Sequence, residues 1–157
     1  MDSMKSFTAL SAGLTGYDSA ELQSTGQIEV YYGVMTRILG GAIVGELLSA
    51  WAKVVEEASG EADAILAGLK KDILPDDLLG PVAKNLVTLW YTGGWTQMPG
   101  EWRSAHGASA EDLDAVISPA AYREGLVWNA IGAHPMSAKQ QGYGAWALTP
   151  LRRRNNG

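Results

Sequence analysis

Asp76-Asp77-Leu78-Leu79-Gly80-Pro81-Val82-Ala83-Lys84-Asn85-Leu86-Val87-Thr88-Leu89-Trp90 is the stretch that decides the fold. Leu78, Leu79, Val82, Leu86 and Leu89 recur mostly at three- to four-residue spacing, the period of one helical face. Pro81 is acceptable only in a first turn, where its missing N–H has no intrahelical partner to lose. The spacing predicts a central helix from Asp76 to Trp90 with Leu86, Leu89 and Trp90 buried.

The chain on the N-terminal side reads the same way. Phe7, Leu10 and Leu14 mark an amphipathic helix over 3–15, with Ser3 as its cap and Gly16 as its stop. Asp18 or Ser19 starts a second helix through Glu21 and Leu22. Ile28 to Leu39 carries one stripe of Val30, Tyr31, Val34, Met35 and Ile38, and Gly40-Gly41 punctuates it. From Ala42 to Ala58, Ile43, Leu47, Trp51 and Val54 share a face from which Glu46, Lys53, Glu56 and Glu57 are absent. Ser59-Gly60 ends that helix. A shorter one follows from Ala62 to Leu69, with Ile65, Leu66 and Leu69 apolar and Lys70-Lys71 complementing its dipole.

Past Trp90 the pattern breaks. Thr92-Gly93-Gly94, Pro99-Gly100 and Gly107 rule out a long helix over 91–107, and Asp112 to Ile117 fits a short turn or strand. Ser118-Pro119 starts a helix through Tyr122, Leu126 and Val127 to about Ile131. Beyond Gly132 nothing periodic remains. The fold class is all-α: an irregular helical bundle over 1–131 and a long extended Gly/Trp-rich C-terminal tail over 132–157, together one domain.

The chain has 157 residues, enough to bury a core without staples. It has no cysteine, which removes disulfides, thiolate chemistry and Cys-type metal sites. A net charge of −5 speaks against a nucleic-acid surface, since phosphate contacts need clustered Lys and Arg. Arg152-Arg153-Arg154 is the one basic run. No apolar stretch approaches the ~18 to 20 residues that cross a bilayer: Ile38 to Trp51 is interrupted by Gly40, Gly41, Gly45 and Glu46. Residues 1–16 lack the pattern of a secretory signal, so a signal is expected to be either removed or never present.

Catalytic patterns are sparse. Gly40-Gly41 and Gly93-Gly94 lack the spacing and preceding strand of a phosphate loop. His106 and His134 stand far apart without an HExxH-type neighbourhood, so no metal site is expected. Glu46, Glu56, Glu57, Asp112 and Asp114 read as solvated helix faces and caps, and Ser11 and Ser104 lack a nucleophile elbow. His134 in Gly-Ala-His-Pro is the sharpest catalytic candidate, with a structural histidine bonded to a loop carbonyl as the plainer alternative.

The tryptophans divide by setting. Trp51 and Trp90 sit on helical stripes and read as core, whereas Trp95, Trp102, Trp128 and Trp146 lie in or beside glycine-rich loops that a monomer struggles to bury. Aromatic and Met enrichment with little charge is the composition of interface centres. Trp95, Trp102, His134, Pro135, Met136, Tyr143 and Trp146 are therefore the expected partner-binding residues. A stand-alone carbohydrate-binding module would use the same exposed rings and remains the alternative.

Leu86 to Gly93, Gly125 to Trp128, Gly132 to Met136 and Gly142 to Trp146, with Phe7-Thr8-Ala9-Leu10-Ser11 and Leu14-Thr15-Gly16 at the start, carry a resemblance. The chain resembles the small subunit of bacterial flavin-dependent sugar dehydrogenase complexes, the sorbitol dehydrogenase small-subunit family. The likeness is strongest over 86–95 and 123–146 and weak over 20–75. It implies a non-catalytic helical subunit that binds a large flavoprotein of the glucose–methanol–choline type and assists its assembly and export. No cofactor is implied in this chain. FAD belongs to the large subunit, where the resemblance also allows an iron–sulfur cluster, and a cytochrome subunit has a place in such complexes. Relatives carry a twin-arginine signal and work in the periplasm, associated with the inner membrane through partners. Without a removed signal the expected compartment is the cytoplasm. Some relatives oxidise the C3 hydroxyl of glucosides.

Overall fold

Asp76 sets the start of the central helix. Its carboxylate accepts the backbone N–H groups of Leu78 at 2.9 Å and Leu79 at 2.8 Å, donors that a helix leaves unsatisfied in its first turn. In the computed structural model, which describes residues 2–107, 109–130 and 132, the helix itself runs Leu79–Thr92. Pro81 lies in its first turn, and Leu86, Leu89 and Trp90 are buried as the spacing predicts.

The elements, in chain order, are α1 (Ser3–Thr15), α2 (Ser19–Ser24), α3 (Ile28–Leu39), α4 (Gly41–Ala58), α5 (Ala62–Gly68), a π-helical turn (Leu69–Ile73), α6 (Leu79–Thr92), β1 (Gly94–Trp95), α7 (Gly100–His106), β2 (Ala115–Val116), α8 (Pro119–Arg123) and α9 (Leu126–Ala130). The described residues are mostly helical, consistent with an all-α class. α6 packs against α1, α4, the π-turn, β1 and α9. Tyr31 of α3 meets Trp90 edge-on with ring centroids 4.7 Å apart, and the Tyr91 hydroxyl donates to the Thr15 carbonyl at 3.3 Å. Each large side chain buried this way is worth roughly 1.5–3 kcal/mol.

Several boundaries differ from the sequence expectation, each for a local reason. Asp2 rather than Ser3 caps α1, accepting from Met4 N–H at 3.2 Å. Asp18 and Glu21 form a reciprocal capping box on α2. Val30 and Leu66, placed on buried stripes by spacing alone, are 39% and 48% exposed because, among the described residues, no neighbouring element covers those edges of α3 and α5. The helix expected to end at Leu69 continues through the π-turn, where one residue more per turn keeps Leu69 and Ile73 both buried. The irregular 91–107 segment contains α7. The helix expected from 118 to 131 is two, with Ser118 capping α8 and a break at Gly125. A side chain at Gly125 would put its Cβ 2.7 Å from the Tyr91 carbonyl oxygen, so this close approach to α6 needs glycine. The tail expected over 132–157 lies, past Gly132, outside the described residues. Among those described, no helix is long and apolar enough to cross a membrane.

Candidate functional site

Gly93 ends α6 in the left-handed region at φ 73, and a Cβ there would lie within the Ala121 carbonyl. The chain then turns into β1, which pairs antiparallel with β2 in the register Gly94–Val116 and Trp95–Ala115. This hairpin closes the segment between the strands into a loop and brings Asp112 beneath Trp95.

Asp112 is 1% exposed, the opposite of the solvated carboxylate expected from its sequence setting. Its Oδ1 accepts the Trp95 indole N–H at 2.8 Å and the Met98 N–H at 3.0 Å, and its Oδ2 accepts the Arg103 Nε–H at 3.0 Å. A buried charge survives only when so compensated. Here the positive partner comes from α7, which is why that short helix forms against the hairpin. Asp114 accepts the Gln97 N–H at 2.6 Å, and Asn85 of α6 donates to the Met98 sulfur at 3.2 Å, tying the loop to the central helix. With donors on both oxygens and a guanidinium at one of them, Asp112 acts as an anchor that orients the 95–112 loop.

Trp95 and Trp102, expected to be free for a partner, are buried in the chain's own core. Trp102 donates to the Leu78 carbonyl at 2.9 Å and holds the His106 ring 5.2 Å away. Their glycine-rich surroundings are misleading because the hairpin folds those loops back onto α6. Trp128, the third loop tryptophan, is half-buried, donates to the Tyr122 carbonyl at 2.9 Å and packs edge-on against that ring. Trp51 and Trp90 are core, as expected. His134, Pro135, Met136, Tyr143 and Trp146, the rest of the candidate partner-binding set, lie outside the described residues.

The apolar surface that sequence reading missed is on the hairpin. Leu113 is 57% and Val116 62% exposed, on and just before the outer strand β2. Only the alternation around Asp114 hinted at it. Clefts indent the described surface. One of about 780 Å³ lies among α1, α2 and α3. One of about 380 Å³ separates the α3–α4 corner from the 107–112 segment, with Asp112 and Trp102 in its wall and the Arg37–Glu111 ion pair of 2.7 Å beside it. One of about 460 Å³ lies between the 74–77 turn and α7. Among the described residues no three His, Asp or Glu side chains are grouped to hold a metal ion. No family model, curated protein or solved structure matches the chain.

Proposed function

We propose that this chain is the non-catalytic small subunit of a flavin-dependent sugar or glucoside dehydrogenase complex. It binds and stabilises a large glucose–methanol–choline-type flavoprotein and assists its assembly or export. FAD, and any iron–sulfur cluster, sit in the large partner. The observation that carries the reading is the resemblance of 86–95 and 123–146 to the sorbitol dehydrogenase small-subunit family. Two features of the chain support a gripping role. The helical body takes Trp51, Trp90, Trp95 and Trp102 into its own core, so of the aromatic side chains proposed for the grip only Tyr143 and Trp146, in the glycine-spaced stretch 142–146, are not among them. Leu113 and Val116 add an exposed apolar edge next to α8. The carbohydrate-module alternative would want open rings, and among the described tryptophans none is exposed.

Co-expression with an untagged flavoprotein encoded beside this gene tests the proposal. The two chains are expected to co-purify with flavin absorbance in the complex and none in the small chain alone. Trp146→Ala is expected to weaken the complex at least about tenfold, since truncating an interface hot spot costs roughly 2 kcal/mol or more, while the small chain keeps its helical signal. Full-yield co-purification of that variant with unchanged salt and heat resistance would remove Trp146 from the grip and turn attention to Leu113 and Val116.

A further inference from the structure

All 17 Asp and Glu residues of the chain fall between Asp2 and Glu124, together with eight of its 12 Lys and Arg residues. The remaining four, Lys139, Arg152, Arg153 and Arg154, fall after position 132 with no acidic residue among them. The helical body therefore carries a net charge of −9 and the C-terminal segment +4.

The cleft of about 460 Å³ between the 74–77 turn, the first turn of α6 and α7 has the chemistry to receive that run. Pro75, Pro81, Pro99 and Trp102 make apolar walls, and Asp76, Asp77 and Glu101 line it against a single ammonium, Lys84. Asp76 is committed to capping α6, which leaves Asp77 and Glu101, both exposed, as the free charges of the rim. Arginine suits such a place because its stem packs on apolar surface while its planar fork pairs with carboxylates. Reach is ample. The 20 residue-to-residue steps from Gly132 to Arg152 span up to roughly 66–72 Å when extended, against a radius of gyration of about 15 Å for a chain this long. The larger cleft among α1, α2 and α3 sets Asp2 and Glu29 against Lys5, a net −1 where this groove has −2, and offers the run less.

We propose that the free subunit holds its own Arg152-Arg153-Arg154 run in this Pro- and Trp-walled groove, with Asp77 and Glu101 as its counter-charges. The contact is intramolecular and does not depend on the identity of the large partner. A partner that takes the tail must compete it away.

The absence of cysteine makes the test direct, because an introduced pair is the only pair that can oxidise. Ala105→Cys places a thiol in the groove, and Asn155→Cys places one beside the arginine run. Gln23→Cys, in the rival cleft on α2, serves as the comparison site for the same Asn155→Cys thiol. In dilute full-length chain of unchanged circular dichroism, the Ala105→Cys pair is expected to close as a monomer at least about tenfold faster than the Gln23→Cys pair, reflecting a higher effective concentration. That advantage is expected to vanish in about 0.5 M NaCl and with Asp77→Lys and Glu101→Lys combined. Equal rates for the two pairs, a faster Gln23→Cys pair, closure indifferent to salt and to the rim reversals, or disulfide-linked dimers in place of closed monomers would each overturn the proposal. None of these readings uses the flavoprotein, so failure here is separable from failure of the co-purification.

Discussion

At the residue scale, Asp112 concentrates the consequences. Removing it leaves the Trp95 indole N–H, the Met98 N–H and Arg103 without their acceptor. Breaking a buried pair by deleting one member costs about 3–5 kcal/mol, so Asp112→Ala is expected to lower the unfolding free energy by that amount, seen as a lower urea midpoint, and to raise hydrogen exchange first over 95–112. Nothing local in Glu111-Asp112-Leu113-Asp114 distinguishes the buried carboxylate from its exposed neighbours. Its donors come from positions 95, 98 and 103, and only the strand pairing joins them, which is why this part of the candidate site was not legible. Tyr31 makes the converse case. Its hydroxyl is buried without a hydrogen-bond partner, so Tyr31→Phe removes an unsatisfied group and is expected to be neutral or stabilising by up to about 1 kcal/mol near pH 7. Burial, and after it the charge of Glu124, raises the Tyr31 phenol above its ordinary value of 10.0. The unfolded chain then ionises at a pH where the folded chain cannot. Stability contributed by the neutral phenol is complete below about pH 10 and is lost as pH rises toward the folded value. Tyr31→Phe should hold its far-UV signal to higher pH than the parent. Tyr17, also raised by burial and then by Tyr91 and Glu21, leaves a residual alkaline slope.

At the element scale, the helices with a continuous stripe were legible, as were the short α2 and α5 with their cap and stop signals, and α7 was not. α3, α4 and α6 each repeat their apolar face over three turns or more, whereas α7 spans seven residues and buries Trp102 alone, too little for a period to register. The break at Gly125 likewise depends on where the Tyr91 carbonyl sits, a contact that joins residues far apart in the chain. Two helix ends give a paired test. Gly16 and Gly93 both close helices with positive φ, 82 and 73, but a Cβ at Gly16 meets nothing within 4 Å while one at Gly93 collides with the Ala121 carbonyl. Gly16→Ala is expected to cost about 1 kcal/mol, the penalty of the left-handed region alone. Gly93→Ala should cost clearly more, at least about 2 kcal/mol, because the α6–α8 contact must also open. Thermal unfolding of the two variants side by side checks the difference.

At the scale of the whole molecule, one core runs from Phe7 to Leu126. A chain truncated after Gly132 is therefore expected to keep its helical signal and a single cooperative urea transition, and a fragment ending before Leu79 to have neither, as limited proteolysis would show. The second expectation follows from the place of α6 in the chain. α1 packs on α6, yet the two are separated by everything from Gly16 to Leu78. On a ribosome adding about 5–20 residues per second, α1 is made roughly 4–15 s before α6 is complete. During that interval the apolar faces of α1, α3 and α4 have no central helix to close on. The nascent chain thus passes through a window in which Phe7, Leu10 and Trp51 are without the part of their core that α6 supplies.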